Sequence, residues 1–125
     1  MGDHRAEGLD LTRPDSVLRD RLVQSWIELE IMRLNALRTM SSLASGEPGP
    51  EVSIAKLYWS EWHRRLGELA MAAIGGEALV AEAEPYELND LQRLYLFSRA
   101  DTIYAGSSEI QRNIIAERAF GLPRA

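Results

Sequence analysis

Glycine and proline residues divide this chain into four segments, and each segment carries apolar residues at intervals of three and four. The breaks fall at 46–50, at Gly75-Gly76, at Gly106 and at Gly121. A spacing of three to four residues places apolar side chains on one face of an α-helix, whereas a strand alternates every second residue. No segment shows such alternation, and no internal repeat is present. The sequence therefore predicts four helices and no sheet.

The first two helices have clear start and stop signals. Pro14-Asp15-Ser16 offers a cap for a helix from about Ser16 to about Ala44, which the glycines and prolines at 46–50 end. Its predicted apolar stripe consists of Leu18, Leu22, Val23, Trp26, Ile27, Leu34 and Leu37. The second helix opens at Pro50 and Glu51 and runs to the Gly75-Gly76 pair.

The other two helices lie in the second half of the chain. After an acidic loop at 77–87, Asn89 or Asp90 caps a third helix that must end before Gly106. Ser108 and Gln111 have the spacing of a capping box for a fourth helix, which Gly121 closes. Short connections between amphipathic helices favour an all-α, antiparallel four-helix up-and-down bundle. We expect a flexible N-terminal tail at 1–14 and the bundle at 15–125.

Composition excludes several classes of protein. A chain of 125 residues with 46% hydrophobic residues suits one globular domain, and no apolar run is long enough to span a bilayer. The net charge of −5 argues against a nucleic-acid partner. The absence of cysteine excludes disulfides and suits the cytoplasm. With only His4 for company, His63 cannot build a metal site, and we expect it at a surface or interface.

Charged and aromatic side chains outside the glycine breaks carry simpler interpretations. We expect the tryptophans Trp26, Trp59 and Trp62 to pack in the core or at an interface. We expect four charged residues to form solvated pairs, namely Asp90, Arg93, Arg99 and Asp101. Large apolar side chains beyond the predicted stripes indicate exposed patches and hence self-association.

The strongest candidate for a binding site is the corner formed by Gly106, Ser107 and Ser108. A helix that begins here presents unpaired N–H groups and partial positive charge, which suit an anion such as a pyrophosphate. The two hydroxyl groups add donors. The alternative is purely structural, with Gly106 making the turn and Ser108 capping the helix.

The stretch from Asp101 to Arg124 closely resembles the C-terminal signature of the FAD-dependent acyl-CoA dehydrogenases. The matching positions include Tyr104, Gly106 and the Glu109-Ile110-Gln111-Arg112 string. A looser resemblance extends back through the long first helix to the Gly75-Gly76 pair. The resemblance implies the C-terminal helical bundle of that family and FAD as the cofactor.

The resemblance also implies roles for individual residues. It places Tyr104 and Gly106 at the substrate and assigns cofactor contacts to Ser107, Ser108, Glu109, Ile74, Gly75 and Gly76. The last three would reach the flavin nucleotide across a subunit interface, although a plain helix stop explains the glycine pair equally well. In many family members a glutamate at the position of Ala105 removes a proton from the acyl chain. An alanine methyl cannot act as that base.

The resemblance leaves two functions open. In the first, the chain is the C-terminal domain of an acyl-CoA dehydrogenase that lacks its other domains and is inactive alone. In the second, it is a non-catalytic partner that completes the flavin interface of a larger dehydrogenase subunit. Family members pack these bundles at the centre of a dimer of dimers, so a homo-oligomer is expected in either case. The acyl-CoA substrate would bind only in the assembled enzyme.

Overall fold

The computed structural model describes residues 16–46, 49, 51–80 and 87–124, and these residues form an all-α structure. The helices are α1 (Ser16–Ala44), α2 (Glu51–Ile74), α3 (Asp90–Asp101) and α4 (Ser108–Phe120), with a short 3-10 helix at Gly75–Leu79 after α2. The predicted four-helix architecture is confirmed. The predicted tail at 1–14 lies outside the described residues.

Helix α2 is the centre of the bundle, since α1, α3 and α4 each pack against it. On one side, Trp62 donates its indole N–H to the carbonyl of Ser25 in α1, at 3.0 Å. On another side α3 runs antiparallel to α2, because Gly67 lies against Ser98 while the earlier His63 meets the later Asp101. Every other helix therefore takes its position from α2.

The closest approach of two helices occurs where α2 crosses α3 at Gly67. A Cβ atom at Gly67 would lie 2.7 Å from Ser98 Oγ, which is too short for a real Cβ contact, and 3.0 Å from the backbone Cα of Tyr95, which is tighter than most. Ser98 is fully buried and donates its hydroxyl proton to the carbonyl of Tyr95, at 2.7 Å. Small residues on both helices thus permit a separation that larger side chains would prevent.

The interior of the described part of the chain is unusually polar. Leu69 is its one buried large apolar residue. The buried polar residues are Ser60, Gln92, Ser98, Asp101, Ser108 and Gln111. Because a buried polar group is costly without a partner, hydrogen bonds between helices contribute to holding this bundle together.

The predicted apolar stripe on α1 does not form a closed core. Trp26 is 62% exposed and Leu34 is 58% exposed, although both belong to that stripe. Trp59 and Leu96 are exposed as well, whereas Trp62 is half-buried. The stripe was predicted from periodicity, which identifies an apolar face but not the element that covers it. Exposed apolar surface of this extent is typical of a face that meets another protein.

Two helix ends differ from the sequence-based expectation. The residues after Ile74 form the 3-10 helix Gly75–Leu79, where a stop and an acidic loop were expected, and Gly75 adopts a positive φ of +68°. The N-cap of α4 is Ser107 and not Ser108. The predicted capping box at Ser108 is therefore wrong. A genuine box is found on α3, where Asn89 and Gln92 cap one another.

Among the described residues, no helix combines the length and the apolar character that a bilayer span requires.

The contact at Gly67 predicts a large effect of a single methyl group. Gly67→Ala should lower the free energy of unfolding by about 1–3 kcal/mol, because overpacking against Ser98 outweighs the better helix propensity of alanine. Chemical denaturation followed by circular dichroism, at fixed protein concentration, measures the effect. Gly76→Ala is the matched control, since a Cβ there would meet nothing within 4 Å. Equal stability of the two variants would contradict the close approach.

Candidate functional site

The turn between α3 and α4 has a backbone conformation that few residues adopt. Ala105 has a φ of +55° and Gly106 a φ of +94°. For a residue with a side chain, such a conformation costs of the order of 1 kcal/mol and persists only when the surroundings impose it. A Cβ atom at Gly106 would also lie 2.9 Å from Gln111 Nε2, so the end of the Gln111 side chain would have to shift. Tyr104 to Glu109, called the corner below, surround this turn.

Two long side chains hold the corner through its carbonyl groups. The Lys56 ammonium on α2 donates to the carbonyl of Asp101 at 3.1 Å and to that of Gly106 at 2.7 Å. The Gln111 amide on α4 donates to the carbonyl of Ala105 at 2.9 Å. Hydrogen bonds from a charged donor are the stronger kind, so α2 fixes both ends of the turn.

A buried carboxylate lies beneath the corner at the end of α3. Asp101 is fully buried, and its two oxygens accept hydrogen bonds from different elements, one from the turn and one from α2. One oxygen accepts the hydroxyl proton of Tyr104 at 2.6 Å, and the other pairs with Nδ1 of His63 on α2. The expectation of a solvated Asp101 is therefore wrong. The His63 side chain is only 15% exposed and pairs inside the chain, so it is not a simple surface histidine.

The two serines at the start of α4 have different surroundings. Ser107 caps the helix by accepting from the backbone N–H of Ile110. Ser108 is buried and donates its hydroxyl proton to Glu61 on α2, at 2.7 Å. This hydrogen bond, followed by the positive charges of Arg64 and Arg112, holds the pKa of Glu61 below its usual value despite partial burial. The Ser108 hydroxyl thus faces α2, and Ser107 is nearer to solvent than Ser108.

Glu109 shows that the start of α4 attracts an anionic oxygen. Its carboxylate accepts from its own backbone N–H and from the hydroxyl of Ser107, and both hydrogen bonds lower its pKa. A phosphate oxygen would use the same two donors, and the positive end of the helix dipole favours both anions. Glu109 is an exposed side chain that can turn away. The donor set at this end of α4 therefore fits a nucleotide phosphate.

The structure does not bring all the predicted site residues together. Tyr104, Gly106 and the residues from Ser107 to Glu109 form one continuous corner. Ile74, Gly75 and Gly76 lie near the other end of α2, at least 13 residues beyond Glu61, which corresponds to about 20 Å along the helix. Within one chain these two groups are too far apart to meet the same phosphate.

Comparison with known proteins identifies the family. Residues 4–120 match the model of the acyl-CoA dehydrogenase C-terminal domain. The chain belongs to the acyl-CoA dehydrogenase family. The predicted resemblance is thereby confirmed.

Curated relatives show how much of a dehydrogenase this domain covers. It is similar to the acyl-CoA dehydrogenase IpdE1 of Mycobacterium tuberculosis, with 53% identity over 110 residues that cover 88% of the chain and 28% of that relative. IpdE1 of Mycolicibacterium smegmatis is 56% identical over 110 residues, which cover 88% of the chain and 26% of that relative. The acyl-CoA dehydrogenase FadE26 of Mycobacterium tuberculosis is 31% identical over 121 residues, which cover 84% of the chain and 30% of that relative. The chain thus spans between a quarter and a third of each relative. No solved structure matches it significantly.

The sequence did not indicate that several residues shape the corner of this acyl-CoA dehydrogenase domain. They are Lys56, Glu61, His63, Asp101 and Gln111. The seven-residue spacing of Lys56 and His63, which puts both on one face of α2, was an available signal. The three-residue spacing of Asp101 and Tyr104 was another. Neither spacing indicates which helix faces which, so the contacts themselves were not predictable.

The lowered pKa of Glu61 predicts how stability depends on pH. A carboxyl group with a depressed pKa in the folded state stabilises the fold above its unfolded pKa, and this contribution is lost as the pH falls through the folded pKa. At pH 7, Glu61→Gln should lower the free energy of unfolding by about 1 kcal/mol, a value reduced by solvent screening. The difference from wild type should shrink as the pH falls below the usual carboxyl pKa, and it should vanish once the pH lies below the lowered pKa of Glu61.

Denaturation at several pH values tests this expectation. Glu30→Gln is the matched control, since Glu30 pairs with Arg33 within one turn of α1 and remains exposed. A difference between Glu61→Gln and wild type that stays constant from pH 7 to pH 3.5 would show that the charge of Glu61 does not stabilise the corner.

Proposed function

We propose that the chain is the C-terminal helical domain of an FAD-dependent acyl-CoA dehydrogenase. In this proposal it contributes contacts to the flavin nucleotide and to the substrate, and it helps the enzyme to oligomerise. The observation that carries the proposal is the strained corner in front of α4, which presents an anion-binding helix start beside Tyr104. Membership of the family supplies the nature of the cofactor and substrate.

The proposed contacts divide along the corner. Tyr104 and the backbone of Gly106 would contact the acyl-CoA, since both lie on the α3 side of the turn. Ser107 and Glu109 would contact the flavin nucleotide, with Ser108 behind them. Ile74, Gly75 and Gly76 would contact a nucleotide held by another subunit, because their distance from the corner within one chain is too great.

The proposed reaction is the α,β-dehydrogenation of an acyl-CoA thioester. When FAD is bound it supplies the acceptor for a hydride from the β-carbon. A base must remove the proton from the α-carbon, and the methyl group of Ala105 cannot accept it. We infer that this domain orients the thioester through the Gly106 backbone, while the base is located elsewhere in the assembled enzyme. The isolated domain would then be inactive.

Ala105 favours the second candidate, a non-catalytic partner subunit. A chain that provides the flavin interface needs no base at this position if another dehydrogenase chain carries one. The exposed apolar residues of α1, including Trp26 and Leu34, support assembly with other chains in both candidates. Assembly as a homo-oligomer is expected for both candidates, and association with a larger dehydrogenase subunit belongs to the second. A cytoplasmic location remains a prediction from the absence of cysteine.

Reconstitution tests the proposed contact with FAD. We expect the purified chain to be colourless and to bind FAD only in an assembly with the flavin-binding part of a dehydrogenase. In that assembly, Ser107→Ala should weaken FAD binding about tenfold, the expected loss for one hydrogen bond to a charged group. Ser45→Ala is the matched control, because Ser45 follows α1 and donates its hydroxyl proton to the local carbonyl of Ser42.

Two outcomes would contradict this assignment. A yellow isolated chain that reduces a dye with acyl-CoA would overturn the proposed inactivity. Equal FAD affinity of the Ser107 and Ser45 variants would remove the corner from the cofactor site. Affinity purification of the tagged chain separates the two candidates, because only the partner subunit should carry along a distinct dehydrogenase chain that bears its own base.

A further inference from the structure

The buried carboxylate of Asp101 has no role in the function proposed so far. A buried charge is costly unless it is paired and hydrogen-bonded, and breaking such a pair leaves the charge uncompensated. Here Asp101 accepts hydrogen bonds from Tyr104, a proposed site residue, and from His63 on α2. The carboxylate thus links the site residue to the central helix. A purely structural pairing would not require one of its two donors to be an exposed side chain of the corner.

His63 is held rigidly on its other sides. Its ring is stacked near Trp59 and Trp62, with ring centroids 5.5 and 6.2 Å away and interplanar angles of 23° and 19°. An ionised carboxylate only accepts hydrogen bonds, so Nδ1 of His63 must carry the proton that it shares with Asp101. The aromatic rings fix the plane of the imidazole, and the imidazole in turn fixes the carboxylate.

The same reasoning determines the direction of the Tyr104 hydroxyl proton. Because Asp101 cannot donate, the proton of Tyr104 points inward to the carboxylate, at an oxygen separation of 2.6 Å. Because Tyr104 donates this hydrogen bond to Asp101, the pKa of Tyr104 is raised above its usual value. Tyr104 is 46% exposed, and its hydroxyl offers only its lone pairs to a ligand in the corner.

We propose that Asp101, oriented by His63, is a positioning residue that locks the ring and the hydroxyl of Tyr104 for contact with the acyl-CoA. The inference rests on the proposed function, since it takes Tyr104 as a substrate contact. Lys56 assists by donating to the backbone carbonyl of Asp101 itself. Four α2 side chains thus act on the substrate only through Tyr104 and the turn, namely Lys56, Trp59, Trp62 and His63.

The first test uses the isolated chain and needs neither FAD nor substrate. The hydroxyl proton of Tyr104 should give a slowly exchanging downfield NMR signal at pH 7, which disappears in Tyr104→Phe. Asp101→Asn, which keeps the shape but removes the charge, should move the signal upfield. His63→Asn retains an N–H donor near the Nδ1 position and should preserve the signal better than His63→Leu. Tyr58→Phe is the control, since Tyr58 lies on α2 away from Asp101.

The second test measures acyl-CoA affinity in the flavin-loaded assembly. Tyr104→Phe and Asp101→Asn should each weaken binding about fivefold to tenfold, and the double variant should be no weaker than Tyr104→Phe, because both changes remove one interaction. Additive losses would show that Asp101 acts independently of Tyr104 and would overturn the proposal. The proposal would also be overturned if the Tyr104 hydroxyl signal were absent in wild type or unchanged by Asp101→Asn.

The two tests separate this inference from the function on which it rests. If the wild-type assembly binds acyl-CoA and the Tyr104 and Asp101 variants bind it equally well, the positioning role is wrong and the proposed function stands. If the wild-type assembly binds FAD but no acyl-CoA, the substrate part of the proposed function fails and the inference fails with it.

Discussion

The requirement that a buried carboxylate be fully hydrogen-bonded governs the structure around the corner. Asp101 lies buried at the end of α3, where its carboxyl group needs donors from both α2 and the following turn. His63 and Tyr104 are those donors, and Lys56 adds a charged donor for the nearby backbone. The strained φ of Ala105 persists because these contacts determine where the turn begins and ends.

The described part of the bundle has a polar interior and an apolar exterior. With Leu69 as the one large apolar residue buried in the described part of the chain, the hydrophobic effect stabilises the isolated bundle only modestly. At the α2–α3 contact, Gly67 and Ser98 allow the two helices to pack closely. The apolar residues that a core would use are exposed on α1, where another chain or domain can cover them.

The elements of this fold could be predicted from sequence, whereas their contacts could not. Glycine, proline and helical periodicity gave the bounds of α1 and the start of α2, because these signals are local. The corner residues were found because they are consecutive. The cap of α4 was misplaced by one residue, since adjacent serines are equally good caps. The burial of Asp101 and the pairing of His63 depend on how α2 faces α3, which local sequence does not specify.

The central claim is that α2 holds the corner in the observed conformation without any ligand. Amide hydrogen exchange of Ile103 and Tyr104, whose N–H groups donate to Ala100 at 2.9 and 3.0 Å, tests it most directly. In the isolated chain these amides should exchange at least about tenfold more slowly than in Lys56→Met, with the middle of α2 unchanged in both. Equal and rapid exchange in the two proteins would show that the corner forms only on assembly.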